Sequence, residues 1–280
     1  MQKNKTRNEL RNLVIKSFSK EVEINSIYFF GKEVSNKSDE YSDIDMIICS
    51  KDLAKTQSNY LEILNDISPI IGSYLLNSTE NDFSQMVMLK DFSPYQKIDF
   101  SITDSIETKK LAGFGPFISI YKDNSLTTKV NSKLDIIKEN NVKNQLDNFL
   151  FTVPRFTKCL FRKDYDMYRR WKHISDYTMV LLYEKYFGWE EKTLRDQVSV
   201  KELSKLNKVI SNYEKEILNR IFPSSCIVNI AESYKLCIEF LITLCKQKAD
   251  YFKVELNEDF ILHIERFLHS EITRYIETIQ

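Results

Sequence analysis

Two carboxylates stand two residues apart at the head of an apolar run, DIDMIIC, in which Asp43 and Asp45 flank Ile44. Alternation along a strand would put Asp43 and Asp45 on one face and Ile44, Met46 and Ile48 on the other. Neighbouring anions repel unless a cation lies between them, and hard oxygen donors of this kind suit Mg2+ or Mn2+. A third carboxylate follows the same rule. In KIDFSI, Ile98, Phe100 and Ile102 make an apolar face and leave Asp99 and Ser101 opposite. If that strand neighbours the first, Asp99 completes a cluster able to hold two divalent ions about 3.5–4 Å apart, as phosphoryl and nucleotidyl transfer require.

Such a cluster needs a sheet to carry it. The apolar spacing of Leu10, Leu13, Val14 and Phe18 predicts a helix over about 4–21, and INSIYFF predicts a strand that stops at Gly31, twelve residues before Asp43. After the Asp43/Asp45 strand come a helix around 60–67, a strand in SQMVMLK, a turn at Ser93-Pro94, the KIDFSI strand and a further strand in FISIYKD. Past about 124 the pattern becomes helical. One helix over 164–186 carries Met167, Trp171, Ile174, Thr178, Leu181 and Leu182 on its apolar side, and another spans 230–252. A last helix is opened by Asn257 as N-cap. The expected fold class is α+β: a mixed β-sheet domain with flanking helices over 1–125, then an α-helical bundle over 126–280. No Pro/Gly/Ser linker separates the halves, which are expected to pack against each other.

Composition narrows the partners. The 280 residues hold 40 Lys+Arg against 40 Asp+Glu, so no global positive field draws the chain to nucleic acid or to an anionic membrane. A small-molecule partner is the expectation. With 42% hydrophobic residues and only five glycines and five prolines, a packed core is expected and a disordered chain is excluded. Cys49, Cys159, Cys226, Cys237 and Cys245 are odd in number and form no C-x-x-C pair, which reads as free buried thiols in a reducing, cytoplasmic setting. The most apolar run, LCIEFLITLC, contains Glu239 and is too short for a bilayer, and no signal-peptide stretch follows the charged N-terminus. The histidines His173, His263 and His269 lack metal-ligand spacing, and GFGPF lacks the lysine and following helix of a phosphate loop, so it reads as a turn. Oligomeric state leaves no sequence signal.

The succession of strand, glycine, D-x-D strand and later acidic strand resembles the nucleotidyltransferase superfamily of polymerase-beta-like enzymes. With a helical bundle behind it, the chain looks most like the lincosamide and aminoglycoside (streptomycin-type) adenylyltransferases. YSDID, KIDFSI, IYKDNS and the helical stretch LFRKDYDMYRRWKHISDYTMVLLYEKYFG have counterparts there. The resemblance implies transfer of a nucleoside monophosphate, AMP from ATP in the first instance, to a hydroxyl of a small acceptor such as an antibiotic. It further implies that Asp43 and Asp45 ligate Mg2+ or Mn2+, that Asp99 completes the site and deprotonates the acceptor, and that Gly31 lets the backbone approach the phosphates. Two departures stand out. The family's Gly-Ser is here Gly31-Lys32, where Lys32 offers a charge to the phosphates in place of a hydroxyl. Arg170 occupies the place of an acidic base that relatives carry in the bundle, leaving Asp164, Asp166, Asp176 and Glu184 as unranked reserves. The basic group Arg155, Lys158, Arg162, Lys163, Arg169 and Arg170 reads first as a solvated helix face and second as a triphosphate clamp. Two alternatives remain: nucleotidyl transfer to a protein or RNA acceptor, and a catalytically degenerate nucleotide-binding protein.

Overall fold

The computed structural model describes residues 6–35, 38–111, 113, 115–123, 133–135, 141–191, 193, 197–222 and 227–279. It divides the chain into two compact units, residues 1–139 and 140–280. Cys226, Phe114 and the Asn124-Ser125 end of IYKDNS lie outside the described residues.

The first unit opens with helix α1 (Arg7–Phe18), started by a capping box in which Thr6 and Glu9 exchange side-chain-to-backbone hydrogen bonds. Strands β1 (Ile24–Phe29) and β2 (Ile44–Ser50) follow, then helix α2 (Leu53–Ile67) and strands β3 (Ile70–Ser78), β4 (Asp82–Leu89) and β5 (Ile98–Thr103). A short helix α3 (Ile106–Leu111) leads to the last strand, β6 (Ile118–Lys122). The six strands form one mixed sheet in the order β3-β4-β5-β2-β1-β6. Only the central β2/β5 pair is parallel; the others are antiparallel. Parallel neighbours require a crossover, which α2 and the β3–β4 hairpin supply.

The core lies on one face of this sheet. Ile44, Met46 and Ile48 of β2, Ile98, Phe100 and Ile102 of β5 and Ile27 and Phe29 of β1 pack with Leu10, Val14 and Phe18 of α1 and Leu53, Tyr60 and Leu64 of α2. Each such side chain, fully withdrawn from water, contributes about 1.5–3 kcal/mol. The predicted helix at 60–67 begins earlier, at Leu53, because Asp52 caps it by accepting from the Lys55 amide at 3.1 Å. Strand β3 is additional to the sequence reading. It is an edge strand containing Gly72, its burial does not alternate, and its pairing with β4 has two irregularities, so it carries little period-two signal.

The second unit is helical: α4 (Asn141–Phe161), α5 (Asp166–Phe187), α6 (Val200–Val209), α7 (Asn212–Ile221), α8 (Ile227–Phe252) and α9 (Glu258–Ile279). Asn257 does cap the last helix, accepting from the Phe260 amide at 3.0 Å. The short α6 and α7 begin with Ser199/Glu202 and Ser211/Glu214 capping boxes. Among the described residues no helix is long and apolar enough to cross a membrane.

Candidate active site

The parallel register aligns Ile44 with Ile98, Asp45 with Asp99 and Met46 with Phe100. The faces turned from the core therefore coincide, and Asp43, Asp45 and Asp99 each bring one carboxylate oxygen to within 4.8 Å of the others, all three half-buried. The neighbourhood of the KIDFSI strand, a condition in the sequence reading, is met.

Gly31 meets the cluster from the end of β1. It opens a 3-10 turn, Gly31–Glu33, at φ +64°, and a Cβ there would sit 2.4 Å from Asp45 Oδ2. Both the positive φ and the carboxylate require glycine. The Phe30 amide donates to the Asp45 carbonyl at 3.2 Å, which joins this turn to the carboxylate strand. Lys32 is half-buried in the same turn, and among the described residues no ion pair joins its ammonium to the three carboxylates.

Two basic residues that the sequence reading did not single out hold the arrangement. Lys97, only 2% exposed, puts its ammonium 2.9 Å from Asp43 Oδ2 and 2.6 Å from Asp99 Oδ1. Its carbonyl accepts from the Ile44 amide at 3.0 Å, which extends the β2/β5 pairing to the residue before the strand. Lys97 stands two residues before Asp99, so the alternation that singled out Asp99 also places Lys97 on its face. Arg7 of α1 gave no such signal. Its Nε donates to the Ser42 carbonyl at 2.9 Å and its Nη2 to the Asp43 carbonyl at 2.8 Å, while the guanidinium pairs with Glu33. The loop before Asp43 is closed further by Ser42 Oγ, which donates to Asp39 Oδ1 at 2.6 Å.

The same sheet face continues as a polar strip away from the cluster. Ser84 and Ser101 share a hydrogen bond of 2.7 Å, and the buried Lys109 of α3 lies 2.5 Å from Asp82 Oδ1. Cys49 lies on this face too, where burial pushes its thiol up to about 11.

The sequence profile of the streptomycin adenylyltransferase family matches residues 4–271. The chain belongs to that family. As a streptomycin adenylyltransferase family member it is a nucleotidyltransferase, with the α+β nucleotidyltransferase fold and a C-terminal helical region. Among solved structures it is similar to an aminoglycoside 6-adenyltransferase from Bacillus subtilis, at 14% identity and a TM-score of 0.35 over 95% of this chain and 98% of that one. It is also similar to JHP933 from Helicobacter pylori, at 13% identity and a TM-score of 0.22 over 88% and 94%. No curated protein matches the chain.

The four acidic residues of the helical unit held in reserve by the sequence reading each have partners in this family member. Arg169 hydrogen-bonds Asp166 at 2.6 Å and, with Arg170 at 2.7 Å, holds its carboxyl below the usual range. Asp176 pairs with Lys172. Glu184 is fully buried, accepting from Lys248 at 2.9 Å and from Thr193 at 2.7 Å. Asp164, two residues before α5, accepts from the Asp166 amide at 3.0 Å. Trp171 is half-buried, and its indole N–H donates to Ser233 Oγ at 2.8 Å.

Proposed function

We propose that this protein joins a nucleoside monophosphate, AMP from ATP in the first instance, to a hydroxyl of a small acceptor, an aminoglycoside or lincosamide antibiotic, and releases pyrophosphate. One observation carries the reading: three carboxylates, Asp45 and Asp99 on adjacent strands and Asp43 just before the first, converge within 4.8 Å beside the Gly31 turn, in a chain of the streptomycin adenylyltransferase family. Exposed acidic groups often lie close together without function. Here the β2/β5 register sets Asp45 level with Asp99, Asp43 directly precedes β2, and all three are half-buried, with the Lys97 ammonium already between Asp43 and Asp99.

The donor set fits Mg2+ or Mn2+, because every available ligand is a hard oxygen. A bound divalent ion polarises phosphate oxygens and neutralises charge developing on them. Asp43 and Asp45 hold that ion. Asp99 completes the site and accepts the proton of the acceptor hydroxyl as its oxygen bonds to the α-phosphorus. The bond from that phosphorus to the bridging oxygen breaks, and pyrophosphate departs with the electron pair. Gly31, lacking a Cβ, allows the backbone close to the phosphates, and Lys32 offsets part of their charge.

The test is pyrophosphate release from ATP with a panel of aminoglycosides and lincosamides. The expected outcome is turnover that requires Mg2+ and one acceptor class, with Asp43→Asn and Asp45→Asn each lowering kcat about 10²–10³-fold or more. An Asp45→Asn protein with full activity would sink the assignment. Label from ATP appearing in lysate protein or RNA, and not in a small product, would move the acceptor to a macromolecule.

A further inference from the structure

We infer that the helical unit holds a second small-molecule site, a pocket between α5, α7 and α8 that takes an organic cation, an amine carried on a ring-bearing apolar body. The nucleotidyl-transfer reading makes no use of this pocket, and the inference stands without it.

A pocket of about 360 Å3 lies where the C-terminal end of α5 meets the start of α7 and the middle of α8. That volume falls in the range of small-molecule sites. Lys185 on its wall stands about 22 Å along α5 from Arg170, so the pocket is separate from the Arg169/Arg170 pair near the start of that helix. Leu236, Phe240, Thr243 and Gln247 recur at three or four residues, and one face of α8 thus supplies a wall. Phe240 and Ile217 are buried and Leu236 is half-buried, which gives the lining an apolar part. Tyr186 and Tyr213 add two rings, the second 72% exposed.

The charged groups set the sign of the ligand. The lining carries one cation, Lys185, against two carboxylates, Glu214 and Glu239. Lys185 is spent on Glu214 Oε1, at 2.9 Å. Glu214 is 3% exposed, and its Oε2 accepts from the Tyr186 hydroxyl and from the Ser211 amide and hydroxyl. Burial alone would raise its carboxyl, but these hydrogen bonds hold it at about 2, so it faces the pocket as an anion. Lys185 is the partner of Oε1 among the described residues, and a carboxylate oxygen has room for a second donor. Glu239 remains as the unbalanced charge. It pairs with His269 of α9 at 2.9 Å, but that imidazole is 53% exposed and the pair is screened by solvent, so an ammonium in the pocket can take its place. An anion would meet two carboxylates here. An amine meets both with charge-assisted hydrogen bonds, its ring body packs on Phe240, Leu236 and Ile217, and Tyr213 offers a ring to the cation.

Isothermal titration calorimetry of the full-length protein with tryptamine, N-acetyltryptamine and indole-3-acetate tests this without reference to turnover. The three probes share one ring system and differ in charge. Wild type is expected to bind one tryptamine per chain, about tenfold or more tighter than either of the others. Glu239→Gln, which removes a partly exposed charge, should weaken tryptamine about tenfold, and Leu236→Trp, which fills the pocket, should abolish binding. No saturable tryptamine binding up to about 10 mM, equal binding of the three probes, or a folded Glu239→Gln protein with wild-type affinity overturns the inference. Should Leu236→Trp fail to fold, as judged by circular dichroism, the Glu239→Gln comparison decides. Asp45→Asn is the control and should bind tryptamine as wild type does. Binding lost in Asp45→Asn and kept in Glu239→Gln would place the amine at the carboxylate cluster and overturn the inference.

Discussion

Gly31 is where a single missing atom decides whether the carboxylate cluster exists. Its φ of +64° alone makes any other residue strained, a cost of about 1 kcal/mol or more. The 2.4 Å approach of its virtual Cβ to Asp45 Oδ2 adds a displacement of the carboxylate itself. Gly31→Ala is therefore expected to lower Tm and to weaken Mn2+ binding together. Gly188, the α5 C-cap at φ +121°, has nothing within 4 Å of its virtual Cβ and supplies the control. Gly188→Ala should lower Tm and leave Mn2+ binding unchanged. Equal loss of binding in both variants would show that the Asp45 contact is not what matters at Gly31.

At the scale of elements, α1 acts as a brace across two loops. Arg7 fastens the carbonyls of Ser42 and Asp43 and pairs with Glu33, whose second oxygen lies 3.6 Å from Arg11 Nε, so one helix end sets the spacing between the Gly31 turn and the first carboxylate. Arg7→Ala deprives these carbonyls of the guanidinium and leaves Glu33 its longer contact with Arg11, and a destabilisation of about 2–4 kcal/mol is expected, with weakened Mn2+ binding that Arg7→Lys partly restores. Melting curves and Mn2+ titration check both, and a binding constant equal to wild type would remove the bracing role. In the helical unit, Glu214 at the start of α7 ties that helix to α5. Burial by itself would raise its carboxyl, but hydrogen bonds from Tyr186, Ser211 and Lys185 outweigh it and hold the group at about 2. A folded-state value below the unfolded one stabilises the protein above the ordinary carboxylate range, and that stabilisation disappears as pH falls from about 4.5 through about 2. Glu214→Gln should accordingly flatten the acid limb of Tm against pH, and an unaltered limb would show that α7 is not held this way.

Across the whole molecule, a few ion pairs are buried, and so are the thiols of the described cysteines. The formal balance of 40 against 40 conceals local concentrations: the acidic cluster with Lys97 in one unit, and the wholly buried Glu184–Lys248 pair in the other. Breaking that pair from one side, as in Lys248→Met, strands a buried carboxylate and should cost about 3–5 kcal/mol. The double variant Glu184→Gln/Lys248→Met should recover a large part of the loss. Cys49, Cys159, Cys237 and Cys245 are buried and free, and burial pushes Cys237 and Cys245 up to about 12 and Cys49 to about 11. In a Cys226→Ser background the native protein should react with Ellman's reagent at least about 10²-fold more slowly than the unfolded chain at pH 8. A fast native thiol would contradict the buried placement.

Local periodicity is written into the covalent chain, and it was enough to determine a great deal. Alternation assigned Ile44, Met46 and Ile48 to the core and Asp43 and Asp45 away from it, and the 3.6-residue spacing located α1, α5, α8 and α9. Not every element was separated: the half-exposed edge strand β3 alternates too weakly to be seen, while α4, α6 and α7, clearly amphipathic helices, were read only collectively as bundle. What only the tertiary structure decided is which distant segments meet. That β5 lies beside β2, in parallel and with Asp99 level with Asp45, depends on how the crossover closes. The grip of Arg7 on the Asp43 loop depends on how α1 docks. Lys97 lies between these cases: alternation fixed its face, but only the closed sheet shows its ammonium between two carboxylates. Side-chain direction is a one-residue property with a period of two, whereas strand order and register are global minima of burial and hydrogen bonding that no short segment encodes.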